Sequence, residues 1–188
     1  MIKSASNVIS GFQSALAQAG LGQLPSTIEY EAQPAPHRPH SLPRAKCAVY
    51  VFSLSQTWGS GCPAGPDRVI KVGKAGLISN ARFQSQHYNP NSAGSTVAGS
   101  LIRCRILWPY LGITGLVPKD VGEWIRQHVD RDNFYLDAVA EQFLRPLETY
   151  LCGTFGSVFE GSEAETRHRS VPASTRGKYD ETRVDAVA

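Results

Sequence analysis

The chain has 188 residues, of which 41% are hydrophobic and 19% charged, and its net charge is +3. These are globular proportions, with material for one real core and room for extensions. So small a net charge gives no whole-chain signal for nucleic acid, and no run of ~18 apolar residues is present to span a membrane. Cys47, Cys62, Cys104 and Cys152 are scattered without Cys-x-x-Cys spacing, so no zinc site is expected. Free thiols in a reducing cytoplasm are the expectation. Lys3 is followed by Ser4, Ser6, Asn7, Gln13 and Ser14, which interrupt any signal-peptide core.

Ser4 to Ala19 predicts a short amphipathic helix with Val8, Phe12, Ala15 and Leu16 on one face and Gly20 as its stop. That face must rest on the body or on a partner chain, which leaves a homodimer open. Pro34 to Pro43 reads as an extended, proline-rich connector, with His37 and His40 solvated. With the helix, it makes 1–46 an N-terminal extension.

From Cys47 to His87 the pattern changes. Ala48-Val49-Tyr50-Val51-Phe52 is an apolar, β-prone run, and Arg68 to Val72 is a shorter alternating one. The loop between them, Ser53 to Asp67, is irregular, and Trp58 either stacks on a base or sugar or tucks onto the body. Gly73-Lys74-Ala75-Gly76 must turn. Ser79 or Asn80 can cap a helix that carries Arg82, Gln86 and then His87. No Asp or Glu occurs from Arg68 to Lys119, whereas the same span holds Arg68, Lys71, Lys74, Arg82, Arg103, Arg105 and Lys119. Cations segregated from a later carboxylate suit phosphodiester chemistry, in which cations hold the phosphate and a carboxylate holds a hard metal.

Ser95 or Thr96 can cap a segment through Val97, Leu101 and Ile102, and Asp120 to His128 predicts a helix with Val121, Trp124 and Ile125 inward. Asn133 to Leu136 is a short strand candidate. Asp137 can cap a helix over 138–152 with Val139, Phe143, Leu147 and Leu151 as its stripe and Glu141, Arg145 and Glu148 on another face. Pro146 must kink this helix or start a fresh one. Val158-Phe159-Glu160-Gly161 is a last short extended piece, and the tail at 162–188 is too polar to pack.

The ordered set of Tyr50, Lys71-Val72-Gly73-Lys74, Arg82, His87 and Glu148 resembles the GIY-YIG nucleases. Their first strand ends Gly-Ile-Tyr, here Ala48-Val49-Tyr50. Their second ends Tyr-Ile-Gly, here Lys71-Val72-Gly73, and lysine at that place resembles the restriction-enzyme branch. Glu160 stands where the family often has asparagine. The resemblance covers about 47–161, with 89–131 as an insertion that either selects the DNA or only adds core. It implies an α+β fold with a small, three-stranded, mostly antiparallel sheet flanked by helices. It also implies cleavage of DNA with one Mg²⁺ or Mn²⁺. Tyr50 would be the general base, Arg82 and Lys71 would stabilise the phosphate, and Lys74 and Arg68 would bind substrate. Glu148 would hold the metal, and His87 would transfer a proton or orient Tyr50. Plainer roles stand beside these: Tyr50 and Lys71 as ordinary strand residues, Lys74 solvated on its turn, Arg82 paired with Glu148, and His87 capping carbonyls. The rival functions are a DNA-binding module that does not cut and a protein-interaction scaffold.

Overall fold

A computed structural model describes residue 2 and residues 4–159. Glu160, Gly161 and the tail at 162–188 lie outside the described residues. The described chain is α+β, built on four antiparallel strands in the order β1-β4-β2-β3, with helices on both faces. The strands are β1 (Glu29–Gln33), β2 (Lys46–Leu54), β3 (Val69–Ala75) and β4 (Val129–Asp137). Among the described residues no helix is long and apolar enough to cross a membrane. All four cysteines are free.

β2 forms where expected, and its alternation sorts the core into two. Ala48, Tyr50, Phe52 and Leu54 face one side, and Cys47, Val49 and Val51 face the other. The first side is covered by α3 (Asn80–Gln84), α4 (Val97–Arg103) and α5 (Val121–His128), through Phe83, Val97, Leu101, Val121 and Ile125. The second is covered by α1 (Ala5–Gln18) and α6 (Leu144–Phe155), through Phe12, Leu16, Leu147 and Leu151. The apolar face of α1 thus rests on the body, with the Phe12 ring 5.5 Å from that of Tyr150. Most apolar residues of 89–131 are buried or partly buried on the Tyr50 side of the sheet, so this segment contributes core.

Several expectations need correction. A fourth strand, β1, lies within 1–46 and pairs with β4 from Glu29↔Tyr135 to Gln33↔Arg131. It is short, charged and at an edge, as edge strands often are, which hides it in the sequence. β4 begins at Val129 and not at Asn133, so the last three residues of the expected insertion, 129–131, belong to the strand. Asp130, Arg131 and Asp132 lie ahead of the expected strand, yet they and Asn133 are all buried in this central strand. Asp130, Asp132 and Asn133 find partners in the N-terminal segment. Tyr30 Oη donates to Asp132 Oδ1 (2.5 Å), the Ala35 amide donates to Asp130 Oδ1 (2.8 Å), and Asn133 Nδ2 donates to Glu31 Oε2 (2.9 Å). His37 is buried and shares a 2.8 Å hydrogen bond with the Tyr88 hydroxyl, so it is not solvated. His40 stays half-exposed against Glu31.

The expected 138–152 helix divides at its proline. A 3-10 segment covers Ala138–Phe143, and α6 starts afresh at Leu144, with Pro146 in its first turn. Val139 is exposed and leaves the apolar stripe. Val158 and Phe159 donate to the carbonyls of Val69 and Ile70, which covers the first half of the outer edge of β3. Trp58, in the short helix α2 (Gln56–Gly59), tucks onto the body, donating to the Leu111 carbonyl and lying 4.1 Å from the His128 ring.

Candidate functional site

β2 places Tyr50 opposite Gly73 of β3. The Tyr50 ring lies across that glycine, and a Cβ there would come within 2.7 Å of Tyr50 Cε2 and 3.1 Å of its oxygen. Gly73 therefore lets the phenol reach the edge of the sheet, where its hydroxyl donates to the Lys74 carbonyl (3.1 Å). Gly73→Ala is expected to force the buried ring aside at a cost of about 1–3 kcal/mol, the usual range for overpacking. Denaturant unfolding and near-ultraviolet circular dichroism read this, and a parent-like midpoint and aromatic spectrum would contradict it.

The Tyr50 oxygen also accepts from Arg82 Nε (3.2 Å) and lies 2.6 Å from His87 Nε2. The His87 tautomer follows from its other nitrogen, since Nδ1 accepts from the free Val97 amide in the first turn of α4 (3.3 Å). The ring proton therefore sits on Nε2 and is donated to Tyr50. One donated and two accepted bonds use all the bonding capacity of the hydroxyl. In this arrangement His87 orients the phenol and is not placed to take its proton. Helix α3 is shorter than expected: it ends at Gln84, Ser85 breaks it, and His87 stands on a separate 3-10 turn, Gln86–Tyr88.

Burial pushes the Tyr50 phenol up to about 12, against the opposing pull of Arg82 and Arg131, and the Glu148 carboxylate adds to the rise. Burial also holds His87 well below the usual histidine range, helped by Arg82, Arg131 and Lys71. The resting site is a neutral phenol and a neutral imidazole among cations.

Lys71 is not an outward strand lysine. It is 1% exposed, and its Nζ donates to Ser95 Oγ (2.6 Å). The Ser95 carbonyl in turn accepts from Arg82 Nη2 (3.2 Å). Arg82 thus bonds neutral oxygens, and its Nη1 arm has no hydrogen-bond partner among the described residues. Ser95 and Val97 belong to the segment expected to be an insertion. That segment fixes two cations and the imidazole, a role that only the geometry reveals.

Glu148 approaches from the other face of the sheet. Lys74, two residues beyond Val72, points to the α6 side, where its Nζ forms a half-exposed ion pair with the Glu148 carboxylate. The Lys74 backbone therefore meets Tyr50 on one face of the sheet, while its side chain meets Glu148 on the other. Glu141 Oε1 accepts from the Leu77 amide (3.3 Å), in the turn that follows. Arg68 does not join this group. It precedes β3 at the opposite end from Lys74, about 20 Å away at the usual rise per strand residue, and its Nε is buried without a partner among the described residues.

Among the described residues no three His, Cys, Asp or Glu side chains gather as metal ligands. Magnesium and manganese do not need such a cage, because a largely hydrated ion uses one or two carboxylates plus substrate oxygens. The lone, partly accessible carboxylate of Glu148 fits that mode once Lys74 releases it. No family model, no curated protein and no solved structure matches the chain.

Proposed function

We propose that the chain is a metal-dependent DNA endonuclease of the GIY-YIG type. The observation that carries this reading is the single phenol, Tyr50, bonded at once by Arg82 and His87 at the border of β3, with Glu148 tied to the same strand through Lys74. Tyr50, having first lost its hydroxyl proton to solvent, would accept the proton of the attacking water as a phenolate. His87 would hold the phenol in place and steady its oxygen as charge develops. Arg82, with its Nη1 arm spare, would bind a non-bridging phosphate oxygen, and Lys71 would keep the local field positive. Glu148 would hold Mg²⁺ or Mn²⁺, which supplies charge neutralisation at the phosphate and cancels the carboxylate that helps keep Tyr50 protonated. Lys74 would then be free for a phosphate. Four unpaired cysteines suit a reducing cytoplasm.

A second reading has its own support. Tyr50 is fully buried and held protonated, and Glu148 is engaged by Lys74, which suits a module that binds DNA without cutting it. Plasmid nicking with Mg²⁺ or Mn²⁺, alongside DNA affinity measured over a range of salt, separates the two. The endonuclease reading expects nicking by the parent, its loss in Glu148→Ala, and salt-dependent affinity retained in both. Affinity without nicking by the parent would leave the binding module.

A further inference from the structure

Arg131 is the largest fully buried side chain in the described structure, and nothing in the sequence pattern marks it. It projects from β4 to the Tyr50 side of the sheet. Its guanidinium carbon lies 4.0 Å from the centre of the Phe83 ring, 5.3 Å from that of Tyr50 and 5.5 Å from that of Phe52. Nε donates to Asn133 Oδ1 (2.9 Å), and Nη1 donates to the Phe83 carbonyl (2.9 Å) and the Tyr88 hydroxyl (3.4 Å). Nη2 is buried with no partner among the described residues. None of these acceptors is an acid; the carboxylate of Glu31 is reached only through Asn133.

A guanidinium taken out of water without a directly bonded carboxylate is costly, and stability alone gives weak grounds for such an arrangement. Aromatic faces offset part of the cost. What the arrangement adds is a fixed charge in a water-free layer, where it acts strongly on its neighbours. We infer that Arg131 is a positioning residue for the Tyr50 site: a positive charge held behind the phenol ring that stabilises negative charge as it develops on the Tyr50 oxygen. The inference rests on the proposed endonuclease reading for its use in catalysis, but not for its effect on Tyr50. The charged and titratable groups that face the phenol are Arg82 from α3, His87 from its 3-10 turn, Lys71 from β3 and Arg131 from β4, while the Glu148 carboxylate of α6 acts on it from the other face of the sheet. Arg131 approaches from the ring side and leaves the oxygen to the others.

The test uses the full chain with Arg131→Met and Arg131→Gln, which remove the charge, and Arg131→Lys, which keeps it. Tyr50 ionisation is read as the difference in ultraviolet phenolate absorbance between each chain and its Tyr50→Phe partner. Single-turnover nicking is followed against pH, with DNA affinity and thermal unfolding beside it. In the Met and Gln variants, Tyr50 ionisation and the rising limb of the rate profile are expected at a pH about one unit higher. At fixed pH this is about a tenfold slower rate. Affinity should stay within about twofold, since Arg131 touches no solvent-facing surface. The Lys variant should restore both readouts. If Met does not fold, Gln carries the test, because its amide can replace some of the hydrogen bonds. Folded variants whose Tyr50 ionisation is unmoved overturn the inference. So does a Lys variant that folds but remains as slow as Gln. A parent that cuts no DNA, yet whose Tyr50 ionisation moves in Gln, removes the endonuclease reading and leaves the Arg131 effect standing.

Discussion

Tyr50→Phe is expected to lower metal-dependent DNA cleavage by about 10²–10⁴-fold, the usual contribution of a general base. DNA affinity should persist, because the phenol lies beneath the surface and Arg82 and Lys74 do not depend on it for their charge. The substitution has a structural cost as well. It removes one oxygen and strands His87 Nε2, Arg82 Nε and the Lys74 carbonyl together. Each buried group left unpaired costs about 1–3 kcal/mol, so the melting temperature should fall while the chain still folds. The pH profile separates chemistry from stability. In the parent, burial keeps the phenol protonated well above neutrality, so the ionised fraction and the rate should climb from about pH 7 to about pH 10. In Tyr50→Phe the residual rate should lose that slope. Cleavage by the variant at the parent rate, with the same slope, would remove Tyr50 from the chemistry.

Deleting residues 1–33 is expected to abolish the cooperative fold, even though the candidate site lies wholly beyond them. The deletion removes β1 from its pairing with β4 and takes Phe12 and Leu16 from the second core. It also takes the Tyr30 hydroxyl and the Ile2 amide from Asp132, and Glu31 from Asn133 and Tyr135. Large apolar side chains contribute about 1.5–3 kcal/mol each, and an unpaired buried polar group costs about 1–3 kcal/mol. Together these losses are comparable to a whole stability of about 5–15 kcal/mol. Far-ultraviolet circular dichroism and thermal unfolding would show it. A truncated chain that melts cooperatively near the parent temperature would mean that 34–159 is self-sufficient.

The parts of this fold that show in the sequence are those whose reasons are local. The apolar run of β2, the alternation before Gly73 and the cap at Thr96 each carry their signal within a few residues. Strand β4 shows only in part, from Asn133 on. Its Asp130-Arg131-Asp132 stretch looks like surface because the groups that satisfy it, Tyr30, Ala35 and Phe83, stand some 50 to 100 residues away in the chain. His37 was obscured in the same way, since its partner Tyr88 is remote. At the site, residue type and order were enough to associate Tyr50, Arg82 and His87. Ser95, Val97 and Arg131 act through backbone groups, a serine hydroxyl or a buried charge, and a linear pattern does not reveal such roles. Arg68 shared the charge of the group but not its place, because a straight strand carries its two ends far apart.

β3 is one of the two edge strands of the sheet, and a single Tyr50 stands behind it. A single molecule working as proposed therefore holds the apparatus for one backbone at a time. Severing a duplex takes either a second visit or a second copy facing the complementary strand. With isolated molecules on supercoiled circles, relaxed open circles should accumulate before linear DNA appears, whereas a symmetric pair would make the linear form directly.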